Sequence, residues 1–160
     1  MTNILTYDTE SDGLLDTATR IWCAVTKDNN GVTKYGPDDI GDFILTLGNV
    51  SSDTILIAHN QVEHDLPLLE KIHGYTHRGR VLDTLVMSRL LNPERSGRHG
   101  LDAWGERLGR QKPSHEDWTT FSPAMLHRCH EDVEINYLVY LELMKEAQLS
   151  EEDLVRLPLY

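Results

Sequence analysis

The sequence predicts an α/β layered protein, a mixed five-stranded sheet flanked by helices, and three observations predict it. Apolar, β-branched and aromatic stretches come first and are joined by tight-turn residues, the pattern of an antiparallel meander. Ile55, Leu56, Ile57 and Ala58 form a run without polar interruption, the composition of a strand covered on both faces. After it, strand-like and helix-like segments alternate.

Ile4 and Leu5 open the first strand, which continues through Thr6, Tyr7, Asp8, Thr9 and Glu10. Ser11, Asp12, Gly13, Leu14, Leu15 and Asp16 follow as a turn-rich segment with a leucine pair. Residues 20–26 form a second strand, in which Ile21, Trp22 and Val25 supply β-branched and aromatic content. Asp28, Asn29, Asn30 and Gly31 make a tight turn into a third strand over 32–35. Gly36 and Pro37 then stop the sheet. Asp38 and Asp39 cap a helix that reaches about Leu47, with Ile40, Phe43, Ile44 and Leu47 on one face. The buried strand ends at His59 and Asn60, and the helix after it carries Leu66, Leu68, Leu69 and Ile72. Val81, Leu82 and Asp83 make a fifth strand, and a helix over 84–91 is ended by Asn92 and Pro93. Residues 95–100 are a polar loop before a helix over 101–108 that stops at Gly109. Ser122 and Pro123 mark a helix start, and a last helix is expected over about 131–148, with Val133, Ile135, Leu138, Leu141 and Met144 as its apolar positions. Residues 151–160 read as a loosely held acidic tail. With no repeat, low-complexity tract or linker, residues 1–160 predict a single domain.

A chain of this length buries roughly 70% of its unfolded surface, and 39% hydrophobic with 26% charged residues suits a water-soluble protein. No run of about 18 apolar residues and no secretory leader pattern is present, so neither a membrane span nor export is expected. Cys23 and Cys129 lack metal-type spacing and read as reduced, half-buried thiols of a cytoplasmic protein. The net charge of −11 argues against a long duplex as ligand, but it is uneven. Residues 71–112 hold nine Lys or Arg against four acids, a local balance of +5, which leaves −16 for the rest. An acidic body with one basic segment suits contact with a few nucleotides.

Asp8 and Glu10 are two apart on a strand, so both point to one face. Like charges that close repel unless a cation lies between them, and hard divalent cations prefer oxygen ligands. Such a pair needs partners. Asp65 lies just beyond the carboxyl end of the buried strand, where ligands gather in open α/β sheets, with Asn60 in the intervening turn. Asp132 is the fourth acid. His127 lies five residues before it, about 140° away on an unbroken helix, so His127 is expected before the helix or at a break. Four acids and an imidazole make a two-metal phosphodiesterase site with a histidine base, and bound cations let phosphate approach an acidic protein. His127, Cys129 and His130 lack zinc-ribbon spacing, and Trp22, Trp104 and Trp118 read as core or core-edge residues.

The order Asp8-x-Glu10, then His59-Asn60 with Asp65, then His127 with Asp132 resembles the DEDD, or DnaQ-like, superfamily of 3′ to 5′ exonucleases in its histidine subtype. Residues 83–90 and 99–109 look like the proofreading exonuclease domain of phage family A DNA polymerases. Those domains carry tyrosine four residues before the last aspartate, where this chain has Arg128. The resemblance implies a ribonuclease H-like fold and two Mg²⁺ or Mn²⁺ ions held by Asp8, Glu10, Asp65 and Asp132, with His127 as general base. It implies a substrate of single-stranded DNA 3′ ends lying over Thr9, Ser11, Gly13 and Leu14, with Asn60 and His99 as further contacts and nucleoside monophosphates as products. RNA trimming uses the same residues, and a non-catalytic module binding nucleic-acid ends or a protein is the reading from another class. A polymerase or replication partner and a phage protein's place in the host cytoplasm belong to the same implication, as does a free-standing or excised exonuclease.

Overall fold

The computed structural model describes residues 3–157. Strands β1 (Ile4–Ser11), β2 (Ile21–Asp28), β3 (Gly31–Tyr35), β4 (Ile55–Ala58) and β5 (Arg80–Asp83) form one sheet in the order β3-β2-β1-β4-β5. The first three are the expected antiparallel meander, whereas β4 and β5 run parallel to β1. A parallel pairing needs a crossover helix. Here α1 (Ile40–Gly48) lies between β3 and β4, and α2 (Asp65–His73) links β4 to β5. Thereafter come α3 (Thr84–Leu91), α4 (Leu101–Arg107), α5 (Pro123–Glu146) and α6 (Glu151–Arg156).

The period-2 alternation of the strands divides the core into two layers. Leu5, Tyr7, Ala24, Leu56 and Ala58 pack with Phe43 and Leu47 of α1 and Leu68 and Leu69 of α2. On the opposite face Ile55, Ile57 and Leu82 meet Tyr140 and Met144 of α5, and Cys23 and Val25 meet its first half at Met125, Cys129 and Val133. Asp8 and Glu10 alternate with Tyr7 and Thr9, so they fall on the α5 side of the sheet. The register slips between Glu10 and Ser11, a bulge that ends the ladder just past the second carboxylate.

Three expectations are corrected. The last helix begins at Pro123, a full two turns before residue 131, because Ser122 Oγ accepts from the Met125 amide and neither proline nor glycine interrupts it before Glu146. The foreseen tail is helix α6 as far as Arg156, closed at its start by a Ser150–Asp153 capping box and pinned by the wholly buried Leu154. Arg80 donates to the carbonyls of Leu154, Val155 and Leu157 at its end. Residues 158–160 of that tail lie outside the described residues. Finally, both cysteines are free and fully buried rather than semi-exposed.

Candidate functional site

Three elements deliver the four acids to one place. Asp8 and Glu10 stand on β1, Asp65 is the first residue of α2, and Asp132 lies two and a half turns into α5. All four line a single cavity of about 190 Å³. Asp65 is buried and accepts from Thr9 Oγ1 at 2.6 Å, so Thr9 spends its hydroxyl on orienting an acid. The cluster is crowded and dry. Burial and Asp132 push the Glu10 carboxyl up to about 8, against the opposing pull of Arg128 and Lys112. Burial, then Glu10, Asp132 and Asp65, hold Asp8 well above the usual carboxylate range. Asp132 is also raised by burial, with Lys112 and Arg128 opposing.

Two cations face these acids. Lys112 Nζ is 3.2 Å from Asp132 Oδ2, and Arg128 Nε is 4.0 Å from Glu10 and 3.9 Å from Asp132. They do not satisfy the cluster, since Asp8 Oδ2 and Asp132 Oδ1 are buried with no hydrogen-bond partner. Hard carboxylate oxygens left unpaired in a shared cavity fit a hard divalent cation such as Mg²⁺ or Mn²⁺. Cys129 Sγ comes within 4.8 Å of the Asp8 and Glu10 oxygens, but its thiol donates to the Asp8 carbonyl at 3.4 Å and lies behind the strand in the core.

His127 does not join them. On the unbroken α5 it is exposed and lines none of the cavities around the acids. It lies one turn before Glu131 on the same helix. The expectation that it stands before the helix or at a break is therefore corrected, because the helix starts four residues ahead of it. Arg128, four before Asp132, takes the inward face instead.

Two other imidazoles are at the site. His59 lines the cavity and is held neutral by burial, which lowers it to about 4. Its Nδ1 lies 2.9 Å from Thr84 Oγ1. His64 lies 3.9 Å from Asp65, whose proximity raises the ring. Sequence reasoning assigns neither a catalytic role, although His59 stands in the resembled motif and both flank the turn between β4 and Asp65. That turn is built by Asp83, whose carboxylate accepts from the amides of Asn60, Val62 and Leu85. Asn60 adopts φ 65°, the left-handed conformation that asparagine tolerates better than most. Gln61 completes the frame: it accepts from Tyr7 Oη and donates to the Leu56 and Leu82 carbonyls, tying three strands together behind the acids.

The remaining predicted contacts lie in two cavities that share walls with the acid site. One, of about 400 Å³, is bounded by Thr9, Ser11, Gly13, Leu14, His64 and Trp118. Leu14 is 72% exposed there, so it is no core-edge residue. Trp118, expected at the core or its edge, packs half-buried against the cluster of Cys23, Met125 and Cys129 and also borders this space. The other cavity, of about 470 Å³, joins Asp8 and Asp132 to Asn60, His99, Arg89 and Arg98. His99 Nδ1 contacts Ser88 Oγ at 2.8 Å.

No family model matches the chain. It is 28% identical to the DNA-directed DNA polymerase of Escherichia phage T7 over 141 aligned residues, covering 71% of this chain and 20% of the polymerase. The polymerase of Enterobacteria phage T3 gives 29% with the same coverage, so the chain spans about a fifth of these relatives' length. Among solved structures it resembles Brucella melitensis NrnC with bound Mg²⁺, at a TM-score of 0.71 and 22% identity over 92% of this chain and 75% of that one. Escherichia coli RNase D, an exoribonuclease involved in structured RNA processing, gives a TM-score of 0.68 and 18% identity over 91% and 40%.

Proposed function

We propose, for a chain homologous to the T7 and T3 DNA polymerases and folded like the DnaQ-type exonucleases, that the protein is a divalent-metal-dependent 3′ to 5′ exonuclease. It hydrolyses the terminal phosphodiester of single-stranded DNA and releases nucleoside 5′-monophosphates. The observation that carries this reading is the convergence of four carboxylates in one cavity with two buried oxygens left without partners. A binding module has no use for such a cluster, because it costs stability in the absence of a cation.

Asp8, Glu10, Asp65 and Asp132 would hold two cations, with Asp8 central among the acids. Bound there, divalent cations polarise the phosphoryl oxygens and make water a better nucleophile. Thr9 keeps Asp65 aimed, and Asp83 keeps the Asn60 turn in place. Leu14 and Trp118 bound the space for the terminal base and sugar, together with Ser11 and Gly13. Arg89, Arg98 and His99 line the cleft on the other side, where the phosphates of the preceding nucleotides lie. The two arginines supply contact with a short strand that the acidic body as a whole repels. Since the sequence relatives carry this region as a fifth of a polymerase, a DNA polymerase is the expected partner and the host cytoplasm the expected place of action.

RNA is the second substrate, and the fold neighbour RNase D, an exoribonuclease, favours keeping it in the test. A time course on 5′-labelled single-stranded DNA and RNA of one sequence, in Mn²⁺, Mg²⁺ and EDTA, decides the matter. A metal-dependent ladder that shortens from the 3′ end is expected, faster on DNA. Intact strands in every lane, from protein that binds Mn²⁺, would shift the assignment to a module that binds ends.

A further inference from the structure

We propose that Arg128 is a further catalytic residue, whose guanidinium clamps the non-bridging oxygens of the scissile phosphodiester. This rests on the exonuclease reading. Position 128 faces the acids because α5 is unbroken and side chains four apart share a helix face. In that place a side chain able to accept a proton would serve as base, yet a guanidinium stays charged and accepts none. What it does well is bind phosphate through a planar fork of donors.

Three features mark this fork as held for substrate. Arg128 Nε is buried and has no hydrogen-bond partner. The carboxylates in front of it stand at 4.0 Å and 3.9 Å, beyond hydrogen-bond range, and Asp132 Oδ2 is already engaged by Lys112 at 3.2 Å. An arginine placed to neutralise an acid looks different in the same protein: Arg110 grips Glu131 through Nε at 2.9 Å and Nη2 at 3.1 Å. Third, the guanidinium carbon lies 4.9 Å from the centre of the Trp118 ring, and the Trp118 carbonyl is fixed by Trp22 Nε1 at 2.9 Å. Stacking, with a hydrogen bond from Nη1 to the His115 carbonyl at 3.5 Å, orients the group while leaving Nε unspent.

In the reaction the oxygen of water bonds to phosphorus as the bond from phosphorus to O3′ breaks. The electron pair leaves with O3′, which takes a proton from solvent, and the proton lost by the attacking water returns to solvent. Arg128 gives and receives no proton. Its charge offsets the negative charge that builds on the phosphoryl oxygens, so its contact is stronger in the transition state than in the bound substrate.

The test compares wild type, Arg128→Ala and Arg128→Lys in two measurements: turnover of a labelled single strand at saturating Mn²⁺, and Mn²⁺ binding followed by electron paramagnetic resonance. Arg128→Ala is expected to lower kcat by roughly 10²- to 10³-fold with a much smaller change in KM. It is also expected to bind Mn²⁺ at least as tightly, since a positive charge facing the site is gone. Arg128→Lys keeps the charge without the fork and recovers only part of the rate. Turnover by Arg128→Ala within about threefold of wild type, with Mn²⁺ bound, would overturn the clamp and leave Arg128 a counterion. Should the alanine variant lose Mn²⁺ binding, the lysine variant decides: a loss of roughly tenfold or more in kcat supports the clamp, and a wild-type rate overturns it. A wild-type protein that binds Mn²⁺ but releases no nucleotide is a separate failure, which removes the exonuclease reading and the reaction the clamp serves.

Discussion

Asp8 and His127 make opposite predictions at the scale of single residues. Asp8→Asn removes a carboxyl whose ionised form burial, Glu10, Asp132 and Asp65 all disfavour. It is expected to abolish nucleotide release and, without metal, to raise the melting temperature at neutral pH; a lower melting temperature would count against the crowded-acid account. His127→Ala takes away an exposed ring on the far side of α5, and turnover within about threefold of wild type is expected in the same assay. The acids were legible in the sequence because strand alternation and strand-end placement are local rules. Lys112 was not, since it reaches Asp132 from a segment twenty residues earlier that has no periodicity. Arg128 was visible as a departure from the resembled pattern, but its inward direction depended on where the helix starts.

Among the elements, α5 begins earlier than the sequence reading places it, and the reason is physical. Met125, Cys129 and Val133 recur at four-residue spacing and are all fully buried, a stripe that extends the helix back to its proline. The sheet was easier, since each strand carried its own composition and turn. Helix α4 offers a test of the packing: a methyl group added at Gly105 would sit 2.5 Å from the Arg110 carbonyl and 3.6 Å from Ile135 of α5. Gly105→Ala is therefore expected to destabilise by about 1–3 kcal/mol in denaturant titration, with the site's Mn²⁺ affinity preserved once folded. An unchanged midpoint would mean the 108–112 turn can shift freely.

For the molecule as a whole, the acid cluster sets how stability depends on pH. Glu10 is raised from 4.5 to about 8, and Asp8 and Asp132 move in the same direction, so the folded protein binds more protons than the unfolded chain. Stability is then full below the unfolded values and falls as pH rises through the folded ones. Metal-free protein is expected to melt at progressively lower temperature from pH 4.5 to about pH 8, and saturating Mn²⁺ should flatten that slope. A melting temperature that rises over this interval without metal would show that the acids are not protonated in the fold. No helix among the described residues is long and apolar enough to cross a membrane.

Arg128 and Asp132 ride on one continuous helix, and Asp8 and Glu10 on the strand that lies at the centre of the sheet. None of these groups can be moved without moving its element, so cation and phosphate recognition vary together or not at all. The segment that carries Leu14 lies outside strands and helices and has no such obligation. Selection for a new nucleotide preference, in nature or in a library, therefore has its freedom at residues 12–20, while the hydrolytic frame, with Lys112 and Trp118 set against it, stays constant.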